Sequence, residues 1–119
     1  MSIQCKRVYL PADAQDGVRI LVERMWPRGI TKQAASLDKW FKDIAPSPDL
    51  RRWFGHDFTR WDDFRQRYWS ELDASPELID QLLNMARESN LTLVHAAKDK
   101  PGNSAQILRD YLCNRLDSA

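Results

Sequence analysis

Two arginines four positions apart, Arg24 and Arg28, flank Trp26 and Pro27 in the run ERMWPRG, which closes on Gly29. A planar guanidinium grips a carboxylate or phosphate through paired hydrogen bonds, so this spacing points to recognition of a small anion. A second group lies in AKDKPGNSA: Lys98 and Asp99, followed by Asn103 and Ser104 at an expected helix start. Free N–H groups and the positive dipole end of a helix favour an anion there. In this reading Arg24, Trp26, Arg28, Lys98, Asn103 and Ser104 contact the ligand. Asp99 is the candidate general acid or base of any reaction.

Each of these residues also has a structural reading. Arg24 shares a strand face with Ile20 and Val22, and an internal ion pair with an acid such as Asp38 or Asp99 would account for it equally well. Trp26, kept extended by Pro27, reads as a hydrophobic lid before it reads as a stacking group. Gly29 can supply the positive φ of a turn, and Asn103 is a helix cap first. Glu23 points to the opposite face and is expected in a separate network. His95 sits in an apolar run and reads as a core residue, whereas His56 reads as a surface turn.

Positioning these groups requires strands at 3–9, 18–25 and 91–97, the last two apolar on both faces. Ample helical chain separates 18–25 from 91–97, so a parallel crossover pair is expected; the orientation of 3–9 stays open. Ligands of such sheets bind beyond the carboxyl ends of the strands, where ERMWPRG and AKDKPGNSA would meet. SLDKWFKDI reads as a short helix capped by Ser36. SPDL at 47–50 and SPEL at 75–78 each read as a helix start, with Ser as cap and Pro in the first turn. Thr59-Arg60-Trp61-Asp62 resembles a capping box. Leu78, Ile79, Leu82, Leu83 and Ala86 form one apolar stripe, and Ala105, Leu108 and Leu112 another. The expected fold is a single small α/β domain over 1–119, a short mostly parallel sheet packed with helices.

Composition narrows the function classes. A chain of 119 residues suits one core, and 43% hydrophobic with 29% charged residues argues against disorder. A net charge of +1 gives no bulk reason for nucleic-acid binding. No apolar run approaches the roughly 20 residues of a membrane span, and the N-terminus lacks a signal-peptide core, so a cytoplasmic location without membrane association is expected. Cys5 and Cys113 are far apart and read as reduced thiols. HExxH, GxGxxG, GxSxG and Walker patterns do not occur, so neither metal nor cofactor is expected. Five tryptophans read as core filling ahead of a base-stacking platform.

The stretches DGVRILVERMWPRGI, LDKWFKDIAPSPDLRRWFGHD, WDDFRQRYWSEL and LTLVHAAKD resemble the YeaO-like family of small bacterial proteins, DUF488, in one register over nearly the whole chain. The resemblance implies an α/β fold, a bacterial cytoplasmic origin and no established activity. Arg24, Trp26, Pro27, Arg28, Gly29, Pro46, Ser47, Tyr68, Glu71, Lys98 and Asn103 match its pattern. Glu23 stands where the family often has Asp. Ser104 stands where relatives carry His, which weakens any role for a histidine at that helix start.

The leading functional reading is therefore binding of a phosphate- or carboxylate-bearing small molecule, with hydrolase or transferase chemistry open. A nucleic-acid or nucleotide-binding module is the less favoured alternative. A protein-interaction module using the aromatic stretch from Trp40 to Trp69 is another.

Overall fold

In the computed structural model, which describes residues 2–97 and 103–117, four parallel strands form one sheet. They are β1 (Ile3–Arg7), β2 (Val18–Leu21), β3 (Lys39–Trp40) and β4 (Leu91–His95), in the spatial order β1-β4-β2-β3. All five residues of β4 are buried, as a two-sided apolar run in the middle of a sheet must be. Leu93 faces Cys5 of β1 on one side and Ile20 of β2 on the other. The expected β2–β4 pair is thus present, and β1 also runs parallel. The strands stop earlier than their apolar runs do, although Val22 N–H still donates to the Val94 carbonyl at 3.1 Å beyond β2.

The stretch 36–44 departs from the expected helix. Ser36 closes a short helix α1 (Lys32–Ala35) at φ 50° instead of opening one. Lys39 and Trp40 pair with Ile20 and Leu21 as β3. Three bonds draw this segment onto β2: Arg19 N–H to the Asp38 carboxylate at 2.8 Å, Phe41 N–H to the Leu21 carbonyl at 2.9 Å, and Trp40 Nε1–H to the Glu23 carbonyl at 2.6 Å. Tertiary pairing here outweighs a helix-like spacing of apolar residues.

Four helices cover one face: α2 (Pro48–Phe54), α3 (Trp61–Asp73), α4 (Pro76–Glu88) and α5 (Ser104–Asp117). Ile20, Val22, Leu91 and Leu93 from the sheet meet Tyr68, Leu72, Leu82 and Leu108 in the main core. Trp53, Trp61 and Trp69 pack against that core partly buried, which is the filling role expected of them. Ser47 caps α2, its Oγ accepting Leu50 N–H at 3.1 Å. Thr59 does not cap α3. Asp57 instead accepts Thr59 N–H at 3.1 Å and caps the 3-10 turn Phe58–Arg60 that leads into the helix. Ser75 precedes α4 without a side-chain cap bond; its hydroxyl turns back to the Glu71 carbonyl.

The other face is covered in two ways. Toward the carboxyl ends, Trp26, Ile30 and Leu37 close over buried Val8, Leu21, Ala35 and Val94. Toward the amino ends lies a polar cluster in which Asp16, Arg19 and Thr92 are all buried. Asp16 accepts from Arg19 Nη1 at 2.6 Å and Lys6 Nζ at 3.0 Å, and Arg19 also donates to the Ala35 carbonyl at 2.8 Å. Burial pushes the Asp16 carboxyl up. Hydrogen bonds from Lys6, the Asp13 N–H and Arg19 outweigh burial and hold it below the ordinary carboxylate value. Gly17 follows at φ 65°, where a Cβ would stand 2.1 Å from the Asn90 carbonyl oxygen, so only glycine fits.

Candidate functional site

Arg24 is the third residue beyond β2. Strand alternation carries its side chain to the face of Ile20 and Val22, toward the helical layer. There Nη2 donates to the Ala45 carbonyl at 3.2 Å and the Pro46 carbonyl at 3.4 Å. Nη1 stands 3.7 Å from the Asp43 carboxylate, and the two side chains are 33% and 78% exposed. That exposure and distance make the pair weak. Arg24 Nε is buried and has no hydrogen-bond partner among the described residues. The acid beside it is Asp43 and not Asp38, which accepts Arg19 N–H; Asp99, the other acid weighed as its partner, lies outside the described residues.

The guanidinium borders a cavity of about 290 Å³ lined by Asp43, Ser47, Tyr68, Glu71 and Ser75, among others. The rest of the wall is fixed by hydrogen bonds between elements. Glu71 on α3 accepts Ser47 N–H at 2.8 Å and the Ser47 hydroxyl at 2.6 Å. Tyr68, one turn earlier on α3, donates its hydroxyl to the Ile44 carbonyl at 2.7 Å. Burial, with the Glu71 charge adding to it, pushes the Tyr68 hydroxyl well above its usual value, so it stays protonated. These bonds tie the segment that follows β3 to α3 and leave the hollow between them open to Arg24.

The other expected ligand residues are distributed differently. Arg28 is exposed and does not line this cavity; its carbonyl accepts the Tyr9 hydroxyl at 2.8 Å. Trp26 donates Nε1–H to the Ile30 carbonyl at 2.8 Å and meets Trp40 edge to face at 5.6 Å, sealing the second face of the sheet. Asn103 accepts Gln106 N–H at 3.0 Å through its side chain, a cap of α5, and Ser104 begins that helix half-buried. Lys98 and Asp99 lie outside the described residues. Of the described members of the expected set, Arg24 alone borders the cavity. Glu23 is in a separate network, as expected, accepting Ala96 N–H at 3.0 Å. His95 is buried within β4, and His56 is an exposed turn residue at φ 58°.

Asp43, Ser47, Tyr68 and Glu71 were not among the residues expected to form a site. A signal for three of them was present, because Ser47, Tyr68 and Glu71 match the pattern of the resembled family. Asp43 had none.

The whole chain fits that pattern. The family described as "Inactive DUF488-N3 subclade" matches residues 2–119. The chain belongs to the DUF488 family. It is 45% identical to the uncharacterized protein YeaO of Escherichia coli strain K12 over 112 residues, 94% of this chain and 97% of that protein. It is 38% identical over 113 residues to the uncharacterized protein Rv3073c of Mycobacterium tuberculosis strain H37Rv, covering 95% of each. No solved structure matches it.

Further features bear on what this DUF488 protein can do. Among the described residues, no three His, Cys, Asp or Glu side chains gather closely enough to hold a metal ion. No described helix is long and apolar enough to cross a membrane. Cys5 donates its thiol to the Ala105 carbonyl at 3.3 Å, and burial pushes it up to about 11, so it is a neutral, weakly nucleophilic group at pH 7. Trp53, half-buried on α2, carries the Arg67 guanidinium 4.1 Å from its ring centroid and that of Arg60 at 5.2 Å. Its π surface is engaged from within the chain.

Proposed function

We propose that this protein binds a small molecule bearing a carboxylate or phosphate in the cavity beside Arg24, and holds it without chemical turnover. The observation that carries the reading is the incomplete satisfaction of Arg24. A guanidinium has five N–H donors in a fixed fork. Here two long bonds go to carbonyls, one weak pair goes to an exposed acid, and buried Nε has no partner. An oxyanion in the cavity would give the loosely paired Nη1 the short charge-assisted bond that Asp43 does not make. A cavity of about 290 Å³ sits at the small end of ligand sites, which run from roughly 300 Å³ upward.

Binding without turnover is supported by the state of the nearby hydroxyls. Ser47 Oγ donates to Glu71 and accepts from Leu50, and Tyr68 is buried and protonated. Both hydroxyls are engaged in holding elements of the fold together, Ser47 at the α2 cap and Tyr68 on the Ile44 carbonyl. The family's description as inactive points the same way.

The test is titration of 15N-labelled protein with acetate and, separately, inorganic phosphate. At least one should shift the amides of Ser47, Tyr68 and Glu71 saturably, and Arg24→Ala should abolish the response while circular dichroism stays native. Absence of shifts with both anions, or shifts that survive Arg24→Ala, would overturn the reading.

A further inference from the structure

The cavity beside Arg24 carries charge of both signs. Its lining includes one guanidinium, from Arg24, and two carboxylates, from Asp43 and Glu71. The two acids differ in freedom. Asp43 is 78% exposed and 3.7 Å from Arg24, so it can turn into solvent when another anion takes the guanidinium. Glu71 is half-buried and held at both oxygens by Ser47, so its charge stays in the wall. Each carboxylate oxygen has acceptor capacity beyond the single bond it receives from Ser47.

A doubly charged phosphate placed here would gain from Arg24 but meet the fixed charge of Glu71 across a partly dehydrated space, where like charges interact strongly. A ligand with one negative and one positive group would find an opposite charge for each in the lining. Resting on the reading of Arg24 as an anion ligand, we infer that the cavity selects a zwitterion of the α-amino acid class. Its carboxylate sits on Arg24 and its ammonium faces Glu71. The small cavity volume suits such a molecule in free form. Asp43 then acts as a gate for charge, occupying the guanidinium loosely when the ligand is absent and reinforcing the demand for a cationic group when it is present.

The experiment is calorimetric titration of the full chain with each of the twenty proteinogenic L-amino acids. The best binder is then compared with its N-acetyl derivative, its carboxamide, acetate and inorganic phosphate. The amino acid should bind at least tenfold more tightly than the N-acetyl derivative, the carboxamide or phosphate, and Arg24→Ala should remove its binding. Asp43→Asn, at an exposed position, should keep the fold and narrow the preference over phosphate several-fold. If the N-acetyl derivative or phosphate binds as well as the amino acid, the zwitterion inference falls while anion binding at Arg24 stands. If acetate binds and no amino acid does, the result is the same. If no probe binds, both fall together.

Discussion

Glu71 holds Ser47 at two points, one carboxylate oxygen on the main-chain N–H at 2.8 Å and the other on the hydroxyl at 2.6 Å. The same hydroxyl accepts Leu50 N–H, so a residue of α3 fixes the first turn of α2. Removing the acid strands both donors and loosens one wall of the cavity. Glu71→Ala is expected to lower stability by about 2 kcal/mol, since hydrogen bonds to a charged acceptor typically contribute 1.5–3 kcal/mol. Urea denaturation measures it. An unchanged midpoint would mean that Ser47 caps α2 without help.

Arg24 and Arg28 look alike in the sequence and differ in space. Arg28→Ala is expected to leave the response to acetate or phosphate within twofold of the parent protein, because its side chain is exposed and away from the cavity. Arg24→Ala should abolish it. Equal losses from the two variants would move the site to the ERMWPRG turn.

The amino-end polar cluster makes stability depend on acid. Asp16 titrates below its ordinary value in the folded protein, so its contribution is fully present above the unfolded-state value of roughly 3.9. It is lost as pH falls through the lower folded-state value. Urea midpoints taken from pH 7 down to pH 2 should drop steeply at the acid end for the parent protein. Asp16→Asn should start lower and drop less, having no carboxylate there to protonate.

Gly17 offers a steric test. Its φ of 65° and the 2.1 Å approach of any Cβ to the Asn90 carbonyl oxygen both oppose a side chain. Gly17→Ala is expected to cost at least about 2 kcal/mol, in the range of backbone strain at positions that only glycine occupies comfortably. Thermal melting would detect this as a fall of several degrees.

Trp26 and Trp40 form the lid of the second face, 5.6 Å apart and edge to face. A double-mutant cycle to alanine should give a coupling of about 1 kcal/mol, as found for such aromatic pairs. A coupling near zero would mean that each ring stabilises the sheet only through its own burial.

The central sheet was legible in the sequence because β2 and β4 carry apolar residues on both faces, and the chain between them is long enough for a parallel crossover. Helix starts at Ser47 and Asn103 were legible for a local reason: a cap acts on N–H groups two or three residues ahead. β3 was not legible. Leu37, Trp40, Phe41 and Ile44 are spaced as on a helix, and what makes a strand of Lys39 and Trp40 is bonding to Leu21 and Glu23, about twenty residues away. The candidate site was half legible. Arg24 stands out from its own neighbours, but its surroundings come from 43–47 and 68–75, and only the fold joins those stretches.

The strand order carries a consequence for how the chain is made. β1 and β2 do not pair with each other, because β4 lies between them and bonds to both. During vectorial synthesis from the N-terminus, β2 can pair early only with the two-residue β3, and β1 has no ladder to join until residues 91–95 have been made. Those residues lie about four-fifths of the way along the 119-residue chain. Helices α2 to α4 can form early through local contacts, but the sheet beneath them closes in one late step, when β4 inserts between β1 and β2.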